Sequence, residues 1–197
     1  MLHRLLLSAL LATPLLAGAQ HPGGRATPAF AAPREATQFD FLLGQWELTV
    51  MPKVSSLAAR IHGAPKLLGI WKAWKAFDGF GIEDELRIMD ASGNPSSLAH
   101  TMRVFDAGSR QWSLTMLDVY RTRFTSSVAE WKNGEMVTTS RGTDAEGKPM
   151  LTRSRFHAIT PSTFRFQQDR SLDDGRTWNT GVLRIEARKV AAVAPRG

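Results

Sequence analysis

From Phe39 to Arg188, apolar side chains recur at every second position in short runs, and each run stops at a turn signal. A period of two sends successive side chains to opposite faces, so each run reads as a β-strand with one buried face. Strands are predicted at 45–51, 68–77, 81–89, 97–105, 111–120, 122–131, 135–141, 151–159, 163–170 and 178–188. Asn133-Gly134 suits a tight type I′ hairpin, because both residues accept positive φ. A longer connection at 53–66 is expected to carry a short helical turn at 56–60. A meander of about ten strands has two open edges unless it closes on itself. The expected fold is therefore all-β, a single up-and-down antiparallel barrel over 39–189, followed by a disordered tail at 190–197.

The alternation also sorts faces. Trp46, Leu48 and Val50 share one side of the first strand, while Trp112, Leu114, Met116, Asp118 and Tyr120 share one side of the fifth. Phe164, Phe166, Gln168 and Arg170 do so in the ninth. Sets that are mainly apolar with scattered polar groups suit a ligand cavity, and equally a filled barrel with a polar rim. The candidate cavity lining is Trp71, Trp112, Tyr120, Phe164 and Phe166, with Arg103, Asp118 and Gln168 as polar members. Glu83, Glu85 and Arg87 are expected on the wet face, which turns Asp84 inward among Ile82, Leu86 and Ile88. An inward carboxylate needs a partner such as Arg or Tyr to offset desolvation. Asp84, Asp118 and Tyr120 would have to meet in one pocket for acid–base chemistry. Arg121 and Arg123, like Arg153 and Arg155, form alternating basic pairs that would build an anion site if inward; both pairs are expected to face outward, since Met150 and Phe156 take the face opposite Arg153 and Arg155.

The N-terminus reads as an address. A basic start is followed by an apolar stretch at 5–16 and then Ala17-Gly18-Ala19, the pattern of a signal peptide cleaved after Ala19. The apolar stretch is shorter than the roughly 20 residues a membrane-spanning helix needs. No second long apolar run follows. Residues 20–38, rich in Pro, Gly and Ala, read as a flexible linker. The chain of 197 residues has no cysteine, so its core must hold without disulfides. These features predict a periplasmic or secreted protein. The net charge of +7 favours anionic partners, yet the basic residues are spread along the chain, and no nucleic-acid partner is expected.

Gly44-Gln45-Trp46 at the start of a first strand resembles the Gly-x-Trp of the calycin superfamily, which includes lipocalins and fatty-acid-binding proteins. That resemblance implies that Trp46 plugs one barrel end and that an arginine of the last strand, Arg184 or Arg188, packs over it, a contact of roughly 0.5–2 kcal/mol. Gly44, Trp46, Arg184 and Arg188 are thus the expected barrel-closing residues. Over Phe39 to Arg188, Phe39-Asp40-Phe41-Leu42-Leu43-Gly44-Gln45-Trp46, Asp84-Glu85-Leu86-Arg87, Arg103-Val104-Phe105-Asp106 with Trp112, and Ser171 to Trp178 together resemble a bacterial family of exported calycin-like barrels of unknown function. The family brings no catalytic residues. Nitrobindin-like haem binding would require His100 or His157 as ligand, with nothing beyond the barrel to favour it.

Ser171-Leu172-Asp173-Asp174-Gly175-Arg176-Thr177-Trp178 fits the Asp-box pattern of sialidase propellers, where it braces a hairpin. A propeller repeats such a unit in at least four blades, and here it occurs once, so a structural brace is expected. No His-x-His or His-x-x-x-His pairing predicts zinc. No Gly-x-Ser-x-Gly elbow or nucleotide loop is present, and no cofactor is expected. The residues point to a barrel that binds a small, partly apolar ligand without catalysis. The rivals are a barrel enzyme using inward carboxylates and an envelope interaction module with a basic outer face.

Overall fold

Strands form where the two-residue alternation predicts them in the computed structural model, which describes residues 31–54 and 65–192. They are β1 (Gly44–Pro52), β2 (Leu67–Ala76), β3 (Gly81–Asp90), β4 (Pro95–Asp106), β5 (Gln111–Asp118), β6 (Arg123–Lys132), β7 (Glu135–Thr143), β8 (Pro149–His157), β9 (Thr163–Ser171) and β10 (Asn179–Ala191). Each pairs with its sequence neighbours, and β1 pairs antiparallel with β10, so the sheet closes as a ten-stranded up-and-down barrel. The expected leader at 1–19, the turn at 56–60 and the tail beyond Ala192 lie outside the described residues.

Register carries the inward set around the wall. Trp46 pairs with Trp71, Trp71 with Leu86, Leu86 with Ala99, and Ala99 with Asp118. A lower ring runs Phe105, Trp112, Ala129, Thr138, Ser154, Gln168 and Leu183. Partners across a sheet share a face, so both rings point into the barrel. The 133–134 turn has positive φ at both residues, 52° and 80°, as a type I′ hairpin requires.

Gly44 has φ of 121°, and a Cβ there would sit 2.6 Å from Lys189 Cε and 2.9 Å from the Ala191 carbonyl. Only glycine lets β1 start against β10 in this way. Gly81 admits a similar approach, since its Cβ would fall 1.9 Å from the carbonyl oxygen of Arg103.

Three departures from expectation have local causes. The domain begins before Phe39: two 3₁₀ turns, Arg34–Thr37 and Asp40–Leu42, pack Ala36, Phe39 and Leu42 into the core. The stretch expected as linker to residue 38 thus ends in structure. The fifth strand stops at Asp118 rather than Tyr120, because the Asp118 carboxylate accepts bonds from the Arg121 N–H and Nη1 and bends the chain into a turn. At the other terminus β10 continues to Ala191, where its Lys189 N–H donates to the carbonyl of Ser162.

Candidate functional site

One barrel end is shut by aromatic packing. The 34–42 segment lies under the start of β1, where the Trp46 indole N–H donates to the carbonyl of Leu42 at 2.8 Å. Trp112 donates to Gln38 Oε1 at 3.0 Å and meets the Phe39 ring edge-on, with centroids 4.8 Å apart. Phe164 packs on Trp46 at 4.7 Å, and Phe156 stands 6.1 Å from Phe39. Trp46, Trp112 and Phe39 have no solvent exposure. Every buried indole N–H here has an acceptor, as burial demands.

The cation above Trp46 is Lys189, with Nζ 5.1 Å from the ring centroid. Arg184 and Arg188 do not take that part. Ile185 and Ala187 point inward, so their even-numbered neighbours point out. Arg188 pairs with Glu47 at 2.5 Å on the outer face, and Arg184 lies exposed over Gly181.

Above this plug sits a buried ion pair. Asp84 on β3 and Arg103 on β4 are 0% and 4% exposed, and Arg103 Nη2 lies 2.8 Å from Asp84 Oδ2, an ion contact without hydrogen-bond alignment. The Trp71 indole N–H donates to Asp84 Oδ1 at 2.7 Å. The guanidinium carbon stands 5.0 Å over the Phe39 ring, tying the pair to the plug. Burial pushes the Asp84 carboxyl above its ordinary value, opposed by Arg103 and then by the Trp71 N–H. Burial likewise pulls Arg103 down, opposed by Asp84. Nε and Nη1 of Arg103 are enclosed without an acceptor, as is Thr138 Oγ1 across the barrel. The Arg partner expected for Asp84 is in place.

Toward the opposite end, the mouth, the interior becomes two-sided. Thr125, Ser127, Thr138, Ser154 and Gln168 line β6 to β9, whereas Leu183, Val50, Leu67 and Leu86 line β10 and β1 to β3. Met116, Phe166, Ser154, Gln168, Leu183 and Leu86 all point inward, yet none is fully buried. Solvent thus reaches inward side chains on the mouth side, in contrast to the sealed plug.

The candidate residues thus divide. Trp71, Arg103, Phe166 and Gln168 face the interior, with Phe166 6.2 Å from Trp71 by ring centroid. Trp112 and Phe164 belong to the plug. Asp118 is inward but held by Arg121 at the rim. Tyr120 is 48% exposed in the turn after β5 and lines nothing. An acid–base site of Asp84, Asp118 and Tyr120 therefore lacks its tyrosine, and each carboxylate is bound to its own arginine. Phe39 stands in the sequence only as part of the Phe39–Trp46 resemblance, and nothing there marks Gln38, Lys189 or Thr138 as site residues. Parity along β10 points to Lys189, two positions beyond the inward Ala187. No periodic signal marks the plug.

Several charges elsewhere are paired. Arg153 and Arg155 face outward, as expected. Arg153 pairs with the buried Asp169 at 3.0 Å and stacks over Trp178 at 4.2 Å. A concavity of about 960 Å³ lies on the outer wall against Glu47, Leu68, Ile70, Arg165, Glu186 and Arg188. Its ion pairs, Glu47–Arg188 and Arg165–Glu186, leave no unbalanced group to recognise a ligand. His100 stands 3.9 Å from Glu83 on the outer face, and among the described residues no group of three or more His, Cys, Asp or Glu could hold a metal. The chain matches no protein-family model, and no curated protein matches it.

Proposed function

We propose that the barrel binds a small, partly apolar ligand in the interior above the plug, entering at the mouth, and holds it without transforming it. The reading rests on one observation: inward side chains between the ion pair and the mouth remain partly accessible, with hydroxyl and amide groups on one wall and aliphatic groups on the other. Such a lining suits a molecule with an apolar body and a few polar atoms. Asp84 serves this reading as a fixed polar floor. Its carboxylate is already engaged by Arg103 and Trp71, which leaves it poorly placed to move protons.

Titration with a neutral fluorescent probe such as N-phenylnaphthylamine tests the reading. Saturable binding is expected, lost in Ser154→Phe, which fills the interior from β8. Native mass spectrometry of the purified protein should show a co-purifying small molecule that the same variant lacks. A wild-type protein that is always empty and takes up no probe sinks the idea. So does probe binding indifferent to Ser154→Phe.

A further inference from the structure

The two barrel ends differ at their surfaces as well as inside. Among the described residues, eleven large apolar side chains are exposed, and six of them lie at the mouth: Met51, Leu68, Val119, Tyr120, Phe124 and Leu172. Phe124, at 67% exposure, and Tyr120 flank the tip of the β5–β6 hairpin, with Arg121 and Arg123 exposed between them. Leu172 stands in the β9–β10 turn between the exposed Arg170 and Arg176.

The carboxylates of this end offset those cations only in part: Asp118 pairs with Arg121, and Asp173 lies within Coulombic reach of Arg176. Asp90 and Asp144 accept the amides of their own turns, from Ser92 and Asn94 and from Glu146 and Lys148. Asp173 accepts from Thr177 in the same way, Asp118 is taken by Arg121, and Asp174 by Arg141. Glu146 is exposed. Arg123 and Arg170 form no ion pair with a carboxylate among the described residues. Exposed aromatics beside unpaired arginines match a membrane interface, where rings sit at headgroup depth and cations meet phosphates.

We propose that the mouth docks on an anionic lipid surface, led by the β5–β6 hairpin tip. Charge complementarity selects the partner, and Tyr120 and Phe124 make it a lipid surface rather than a soluble polyanion. The purpose of this docking rests on the function proposed above, since a mouth held against lipid shortens the path of a partly apolar ligand between bilayer and barrel. The docking itself needs only the rim.

Co-sedimentation with phosphatidylcholine vesicles, with and without phosphatidylglycerol, tests it on the full chain. Binding is expected only to the anionic vesicles and should weaken as salt is raised. Arg121→Gln with Arg123→Gln should weaken it roughly thirtyfold, at about fivefold per cation near the surface. Phe124→Ser, on an outward and exposed position, should weaken it further while leaving near-ultraviolet circular dichroism unchanged. That variant keeps the test decisive if loss of the Asp118–Arg121 contact disturbs the turn. Equal binding to both vesicle types, no response to Phe124→Ser, or heparin binding that displaces the vesicles while ignoring Phe124→Ser would overturn the proposal. The Ser154→Phe protein separates the two readings: vesicle binding should persist in it while probe binding is lost.

Discussion

Asp84 and Arg103 illustrate how one face assignment constrains a distant residue. The alternation in β3 places Asp84 among Ile82 and Ile88, and desolvation then requires a cation within reach. Sequence can state that requirement, but it cannot choose Arg103 over other arginines, because the choice depends on β3–β4 register. In that register Arg103 lies opposite Ile82, two positions along from Thr101, the partner of Asp84. Removing one partner strands a buried charge. Asp84→Ala should cost about 3–5 kcal/mol, whereas replacing the pair together, Asp84→Leu with Arg103→Met, should cost less than either single change. Urea unfolding of the four proteins measures this. If the double variant is the least stable, then the pair is not coupled in this way. The Trp46 cation shows the converse limit. A resemblance pointed to arginine, but the parity of β10 excludes Arg184 and Arg188 and admits Lys189.

Hairpins carry the architecture, and they were the most legible part of the chain. Asn133-Gly134 and the acidic glycine turns bound runs of clean alternation, so strand number and order follow from local chemistry. The 34–42 plug was not legible for the same reason, because two short 3₁₀ turns leave no period to read. The Ser171–Trp178 turn is the structural brace its pattern predicts. Ser171 Oγ accepts the Gly175 N–H, Asp173 accepts the Thr177 N–H and hydroxyl, and the Trp178 indole N–H closes on the Gly175 carbonyl. The Thr177 hydroxyl, then its N–H, then Ser171 hold the Asp173 carboxyl down at about 2, against an ordinary 3.8. A lowered acid pKa gives stabilisation that is complete above the ordinary value and fades as pH falls through the lowered one. The turn should therefore stay ordered at pH 4 and loosen toward pH 2. The Gly175 and Thr177 amide resonances would report it, and Thr177→Val should move the transition upward. Amides that titrate near 3.8 in the wild type would contradict the brace.

The barrel as a whole has no free edge, because β1 and β10 pair from Gln45–Ala191 to Pro52–Leu183. Nine of its ten seams join neighbours in sequence and cost little loop entropy, whereas the tenth joins the ends of the domain. A chain cut after Trp178 should keep its hairpins but expose β1 and β9 as long unpaired edges. Light scattering should show it associating at concentrations where the full chain stays monodisperse, and a soluble monomeric truncation would refute this. The single long-range seam also imposes a schedule on biosynthesis. The first strand off the ribosome is bonded on one side by β2 and must wait for the last strand on the other. Through that interval Trp46 has neither Lys189 above it nor Phe164 beside it. The same tryptophan that seals the finished barrel is thus the group the growing chain most needs shielded, and whatever handles the nascent protein must release it only when β10 has arrived.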